Sequence, residues 1–227
     1  MKIGILQTGH APDALIATFG DYDQMFRDLL DGHGFTFETW AVVDGAFPPG
    51  PDAADGWLIT GSRHGAYEDL PWIAPLEALI RDIHASGRPM IGVCFGHQII
   101  AQALGGKVEK FAGGWAVGRS EYELGARKVT LNAWHQDQVT QAPETARVAG
   151  TNPFCKNAML AYGDSIWTVQ AHPEYGTGFI RGLIETRGRG NVPDAILDRA
   201  DANLDGAVDN ADMAGFMAEF LKRKERA

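Results

Sequence analysis

Two short stretches hold side chains suited to covalent catalysis. The first is Pro89-Met90-Ile91-Gly92-Val93-Cys94-Phe95-Gly96-His97-Gln98-Ile99-Ile100-Ala101. Its apolar run ends in Gly-x-Cys-x-Gly and passes into a helix-compatible stretch, the pattern of a nucleophile elbow with sulfur in place of serine oxygen. So sharp a turn crowds the backbone around the nucleophile, which calls for glycine at Gly92 and Gly96. It also sets Cys94 at the amino end of a helix, where unpaired N–H groups and the dipole favour negative charge on sulfur. The second stretch is Val169-Gln170-Ala171-His172-Pro173-Glu174-Tyr175. A cysteine nucleophile needs a base and a third group to orient that base. His172 suits the general base and acid, and Glu174 suits the partner that fixes its tautomer and offsets the imidazolium charge. The intervening Pro173 keeps both on one rigid, extended segment. Taken alone, a buried cysteine is usually an inert small hydrophobe. The pair, in this order and each after an expected strand, points to a cysteine nucleophile served by a histidine base.

The elements that would position these groups follow from periodicity. Strands are expected over 2–7, 35–43, 56–60 and 90–93, and helices over 21–30, 72–85 and 97–104. Strands alternating with helices imply a parallel sheet covered on both faces. The fold class is therefore α/β, a three-layer α/β/α arrangement with a mostly parallel central sheet. Such a sheet places its working groups at the carboxyl ends of its strands, where both motifs fall. The Gly-rich segment 108–131 suggests antiparallel strands near a sheet edge. Further strands are expected at 129–131, 146–150, 159–162 and 166–170, with helices at 178–186, 193–200 and 212–224. Residues 1–190 read as the catalytic unit and 191–227 as an appended helical tail.

That tail contains Asp201-Ala202-Asn203-Leu204-Asp205-Gly206-Ala207-Val208-Asp209-Asn210-Ala211-Asp212. It fits the Asp-x-Asn-x-Asp-Gly calcium-loop template, with Gly206 at the sharp turn. Asp201, Asn203, Asp205, Asp209 and Asp212 are the candidate ligands of a structural Ca2+. Asp212 stands where a bidentate Glu is usual, which weakens such a site. The alternative is an Asx-rich turn that caps the last helix.

Bulk properties exclude more than they identify. A net charge of -9 argues against a nucleic-acid backbone as the main ligand. No apolar stretch is long enough to span a bilayer, and no charged-then-apolar leader opens the sequence. Two cysteines, Cys94 and Cys155, are too few for a disulfide framework. The expectation is a cytoplasmic protein with neither membrane nor nucleic acid as partner.

Gly92-Val93-Cys94-Phe95-Gly96-His97-Gln98 and Gln170-Ala171-His172-Pro173-Glu174 together resemble the class I (triad-type) glutamine amidotransferase family. The likeness extends over residues 1 to about 185, through Gly105-Gly106 and Trp134-His135-Gln136-Asp137. It is strongest to stand-alone proteins similar to the glutaminase domain of GMP synthase. The resemblance implies a flavodoxin-like fold and hydrolysis of the glutamine side-chain amide through a γ-glutamyl thioester, releasing glutamate and ammonia. It implies Cys94 as nucleophile, His172 as base and Glu174 as its partner. Gly61, Ser62 and Phe95 correspond to the oxyanion hole, with Gly61-Ser62-Arg63 where many members have Gly-Gly-Pro. Gln98, His135 and Asp137 correspond to the glutamine pocket. Gln98 as a helix residue serving backbone groups, and His135 with Asp137 as a local turn, are the plainer alternatives. The glutaminase step needs no cofactor. No Gly-x-x-x-x-Gly-Lys-Ser/Thr motif occurs, so an ammonia-accepting synthetase would be a separate chain. Two rival functions share the resemblance: a γ-glutamyl peptidase acting on glutathione-like conjugates, and a non-catalytic regulatory subunit.

Overall fold

The first strand, β1 (Lys2–Gln7), is buried along nearly its whole length, as a strand covered on both faces must be. In the computed structural model, which describes residues 1–223, it is followed by α1 (Asp13–Phe19), α2 (Tyr22–Leu29), β2 (Thr36–Ala41) and β3 (Gly56–Ile59). Next come α3 (Ile73–Ser86), β4 (Met90–Val93), α4 (Phe95–Ala103), β5 (Lys107–Lys110), β6 (Ala116–Leu124), β7 (Arg127–His135) and β8 (Asp137–Gln141). The chain continues through β9 (Ala146–Thr151), β10 (Met159–Tyr162), β11 (Ile166–Val169), α5 (Thr177–Leu183), α6 (Asp194–Asp201) and α7 (Asn210–Leu221). A π-helical turn, Ile184–Gly188, extends α5.

Nine strands form the main sheet in the order β2-β1-β3-β4-β11-β10-β9-β6-β7. The half from β2 to β11 is parallel, and β10, β9, β6 and β7 extend it antiparallel. A separate antiparallel pair joins β5 to β8. The three-layer α/β/α class expected from the sequence is the one that forms. On one face α2 and α7 bury Phe26, Met213 and Met217 against Ile91, Val93 and Trp167. On the other, α3 and α4 bury Leu76, Ile80, Ile99 and Ile100 against Trp57, Ile59 and Met90. A third cluster gathers α1, α5 and α6 around Tyr22 and Tyr175.

The structure adds to the periodicity reading in several places, and β8 is a strand that it did not expect. Residues 13–19 are helical, although Pro12 and a span of only seven residues leave too short a period to detect. The helix expected over 178–186 is α5 plus its π turn. The last helix is integral to the core: Met213, Ala214, Met217 and Leu221 are buried, and Phe216 meets the Trp167 ring edge-on at 4.9 Å. Residue 224, where that helix was expected to end, lies outside the described residues. No helix among the described residues is long and apolar enough to cross a membrane.

Candidate active site

Strand order brings the motifs together. β4 lies between β3 and β11, with Ile59 opposite Gly92 and Val169 opposite Val93. The loops leaving the three strands carry Gly61, Cys94 and His172 to neighbouring positions at the carboxyl ends of these parallel strands. A Cβ on Gly61 would stand 3.1 Å from His172 Cε1 and 3.7 Å from Cys94 Cβ. Glycine is what lets this strand end approach both groups.

The turn after β4 is strained at one residue. Cys94 has φ +52° and ψ −103°, the only positive φ outside glycine among the described residues. Such a conformation costs of order 1–3 kcal/mol and persists only where its surroundings enforce it. They do so here: Cys94 N–H donates to Val169 C=O at 2.8 Å, and Gly96 N–H donates to Thr60 C=O at 3.1 Å. A Cβ on Gly92 would lie 2.5 Å from Gly96 O, and one on Gly96 would collide with the Ile59 carbonyl. Both glycines of the motif are therefore required by backbone contact. Phe95 begins α4, so its N–H belongs to the first turn and lacks an intrahelical acceptor.

The imidazole of His172 is fixed from three sides. Its Nδ1 lies 2.7 Å from Glu174 Oε1, and both side chains are almost fully buried. Its backbone N–H donates to Asn132 C=O at 2.8 Å, and its ring stacks on Tyr175 at 3.9 Å and 5°. Nε2 is buried and makes no hydrogen bond of ordinary geometry, yet couples electrostatically to Cys94. Burial disfavours the imidazolium, but Glu174 and the Cys94 sulfur outweigh it and raise the His172 pKa to about 10. The resting histidine is thus a proton store facing the sulfur.

In the loop after β3, Gly61 C=O accepts from Thr8 Oγ1 at 3.0 Å and Thr60 Oγ1 at 3.1 Å. A trans peptide points its N–H opposite to its C=O, so Ser62 N–H is directed away from both threonines. The Ser62 hydroxyl accepts from His64 N–H at 3.2 Å.

Ser62, Cys94, Gln98, His135, Asp137 and His172 line a single cavity of about 410 Å³. Gln98 and His135 serve the backbone within it. Gln98 Nε2 donates to Asp137 C=O at 2.9 Å and to Gln170 Oε1 at 3.1 Å. His135 Nδ1 donates to the same Asp137 carbonyl at 3.2 Å. That bond leaves Nε2 as the unprotonated nitrogen, and burial lowers the His135 pKa to about 4. The Asp137 carboxyl is raised above the ordinary carboxylate range by burial, with Tyr67 and Lys110 pulling the other way. Gly65 makes room for it, since a Cβ there would sit 3.2 Å from Asp137 Oδ2. Tyr22, Tyr67, Trp115, Trp134, Tyr175 and Arg187 also line the cavity or stack on its imidazole. Sequence reasoning missed them all. Only Tyr175, adjacent to the His-Pro-Glu motif, and Trp134, adjacent to His135, carried any local signal.

In the candidate calcium loop the side chains turn to partners within the protein. Asp201 and Asp205 both pair with Arg181, at 3.1 and 3.2 Å. Asp209 accepts from Thr130 N–H at 2.7 Å, and the Asn203 amide donates to Arg199 C=O. Asp212 lies in the first turn of α7. The Arg119 guanidinium takes the Ala207 carbonyl and lies where a Gly206 side chain would point. Two arginines thus occupy polar groups that a metal would need. No cluster of three or more His, Cys, Asp or Glu side chains among the described residues is placed to hold one.

A family model described as glutamine amidotransferase class-I matches residues 52–180. Gamma-glutamyl peptidase 4 of Arabidopsis thaliana is 29% identical over 94% of this chain and 93% of its own length. The glutamine-hydrolyzing GMP synthase of Azoarcus sp. is 33% identical over 76% of this chain, a match that spans 34% of that enzyme. A crystal structure of a glutamine amido transferase from Methylobacillus flagellatus superimposes with a TM-score of 0.72. It covers 97% of this chain and 91% of its own at 21% identity, a likeness of fold.

Proposed function

The chain belongs to the class-I glutamine amidotransferase family, and from that premise we propose that it hydrolyses γ-glutamyl amides through a thioester on Cys94, with glutamine as the reference substrate. The observation that carries this reading is the strained Cys94 beside a histidine whose Nδ1 is held by Glu174 and whose Nε2 is unoccupied. Cys94 Sγ adds to the γ-carbonyl while His172 holds the proton that the sulfur gives up. The tetrahedral oxyanion is met by two N–H groups, that of Phe95 at the start of α4 and that of Ser62, a choice over Gly61 that the direction of the Gly61 carbonyl supports. The C–N bond then breaks as His172 Nε2–H protonates the leaving nitrogen. Water, deprotonated by the same nitrogen, cleaves the thioester and releases glutamate. Asp137 suits the α-ammonium of the glutamyl group. Gln98 and His135 keep that loop in place.

If glutamine is the physiological substrate, the ammonia either leaves as product or serves a partner synthetase. A second reading, cleavage of γ-glutamyl peptides, is favoured by one observation: the cavity extends past His172 into an aromatic wall that departing ammonia does not need.

The deciding assay follows glutamate release from glutamine and from γ-glutamyl dipeptides. Cys94→Ala should lower both rates by roughly 10³-fold or more without changing the unfolding temperature appreciably. Turnover near the wild-type level in this variant would reject the mechanism.

A further inference from the structure

The chemistry divides the cavity in two. An amide has an acyl side and an amine side, and the group that protonates the leaving nitrogen must stand on the amine side. His172 marks that side. On the reading proposed above, Gln98, His135 and Asp137 bound the acyl side. Beyond His172 the wall continues through Tyr175, stacked on the imidazole, to Tyr22, whose ring lies 6.3 Å from that of Tyr175. It ends at Arg187, whose Nη1 donates to Tyr22 Oη at 3.2 Å and whose Nη2 donates to His10 C=O at 3.0 Å. Trp115 and Trp134, edge to face at 6.3 Å, line the same cavity.

Arg187 differs from its neighbours in what it lacks. Arg181 pairs with Asp201 and Asp205, and Arg189 pairs with Asp194 and Asp198. Arg187, partly buried and facing the cavity, has no carboxylate within ion-pair distance among the described residues. It sits on the π-helical turn Ile184–Gly188, closed by Arg189 N–H to Ile184 C=O at 3.2 Å. Turns of this kind recur where a helix must redirect a functional side chain.

We propose that this lobe receives the amine half of the substrate, with Arg187 binding a carboxylate on it and Trp115 and Trp134 covering an apolar side chain. The leaving group is then an amino acid or short peptide bearing an apolar residue. The inference rests on the γ-glutamyl reading above and narrows it. A guanidinium offers a carboxylate charge-assisted bonds that a neutral amide cannot match.

The test compares γ-glutamyl-phenylalanine with γ-glutamyl-phenylalaninamide, which differ only in that carboxylate, with glutamine assayed alongside. The wild-type protein should cleave the free acid with kcat/KM about tenfold or more above the amide. Arg187→Gln should bring the two within about twofold, and Arg187→Lys should keep part of the preference. Equal wild-type rates on acid and amide would overturn the proposal without any variant, as would a preference that survives Arg187→Gln. Cleavage of glutamine but of neither dipeptide would overturn it and leave the γ-glutamyl reading standing. If none of the three is cleaved, that reading fails with it.

Discussion

At the scale of single residues, the His172–Glu174 pair sets the protonation state of the site. Its histidine pKa is raised from 6.5 to about 10, so the pair's contribution to stability is complete below about 6.5 and is lost as pH rises through about 10. In the proposed mechanism the same shift keeps an imidazolium available to the leaving nitrogen at neutral pH. Glu174→Gln removes the balancing charge and keeps the shape. It should lower kcat/KM by roughly 10² to 10³-fold, less than the loss of Cys94, because the orienting group contributes less than the nucleophile. The upper limb of the pH–rate profile should move to lower pH. A Glu174→Gln enzyme with an unmoved profile would mean that Glu174 does not tune the base. The Tyr175 ring supports the same imidazole by stacking.

Elements supply what those residues cannot. α4 packs so tightly that its second residue, Gly96, touches the backbone of β3, and its third, His97, is wholly buried with Nδ1 2.7 Å from Thr168 Oγ1 on β11. Burial lowers the His97 pKa to about 3, with His135 adding to the effect. A histidine kept neutral in the folded state stabilises fully above the unfolded value of 6.5. That stability is lost as pH falls from about 6.5 toward about 3, because the unfolded chain takes up the proton first. Each such group steepens the loss by up to about 1.4 kcal/mol per pH unit. Thermal unfolding measured from pH 7 to pH 4 should show the decline, and His97→Gln should make it shallower. Identical slopes in the two proteins would show that His97 is not a source of the acid sensitivity.

For the molecule as a whole, α7 closes the face of the sheet that α2 leaves open. Met217 is fully buried among Phe26, Ile91 and Trp167 in the same core cluster that reaches Cys94. Met217→Ala should cost about 2–5 kcal/mol in denaturant unfolding, as for other buried methionines. A loss under about 0.5 kcal/mol would mean that the helix is only loosely attached. The Asp-rich loop before α7 acts at this scale too. Arg119 and Arg181 tie it to β6 and α5, so the loop joins the last helix to the rest of the core.

Local chemistry was legible in the sequence because it is encoded locally. Gly92 and Gly96 on either side of Cys94 announce a turn that only glycines permit, and β4 runs over the four residues that the apolar run marked. His172 and Glu174, two apart across a proline, already share a direction. Other features depend on which segments meet in space. β11 pairs with β4 across more than seventy residues of intervening chain, and that long-range choice alone sets His172 beside Cys94. The Asp-rich loop fits a cation template residue by residue, yet arginines from β6 and α5 reach its polar groups. Arg187, unremarkable in sequence, gains its role from Tyr22 and from a helical turn with one extra residue. Spacing along the chain determined the candidate reacting groups of this protein. Packing between distant segments decided how they meet and how much room surrounds them.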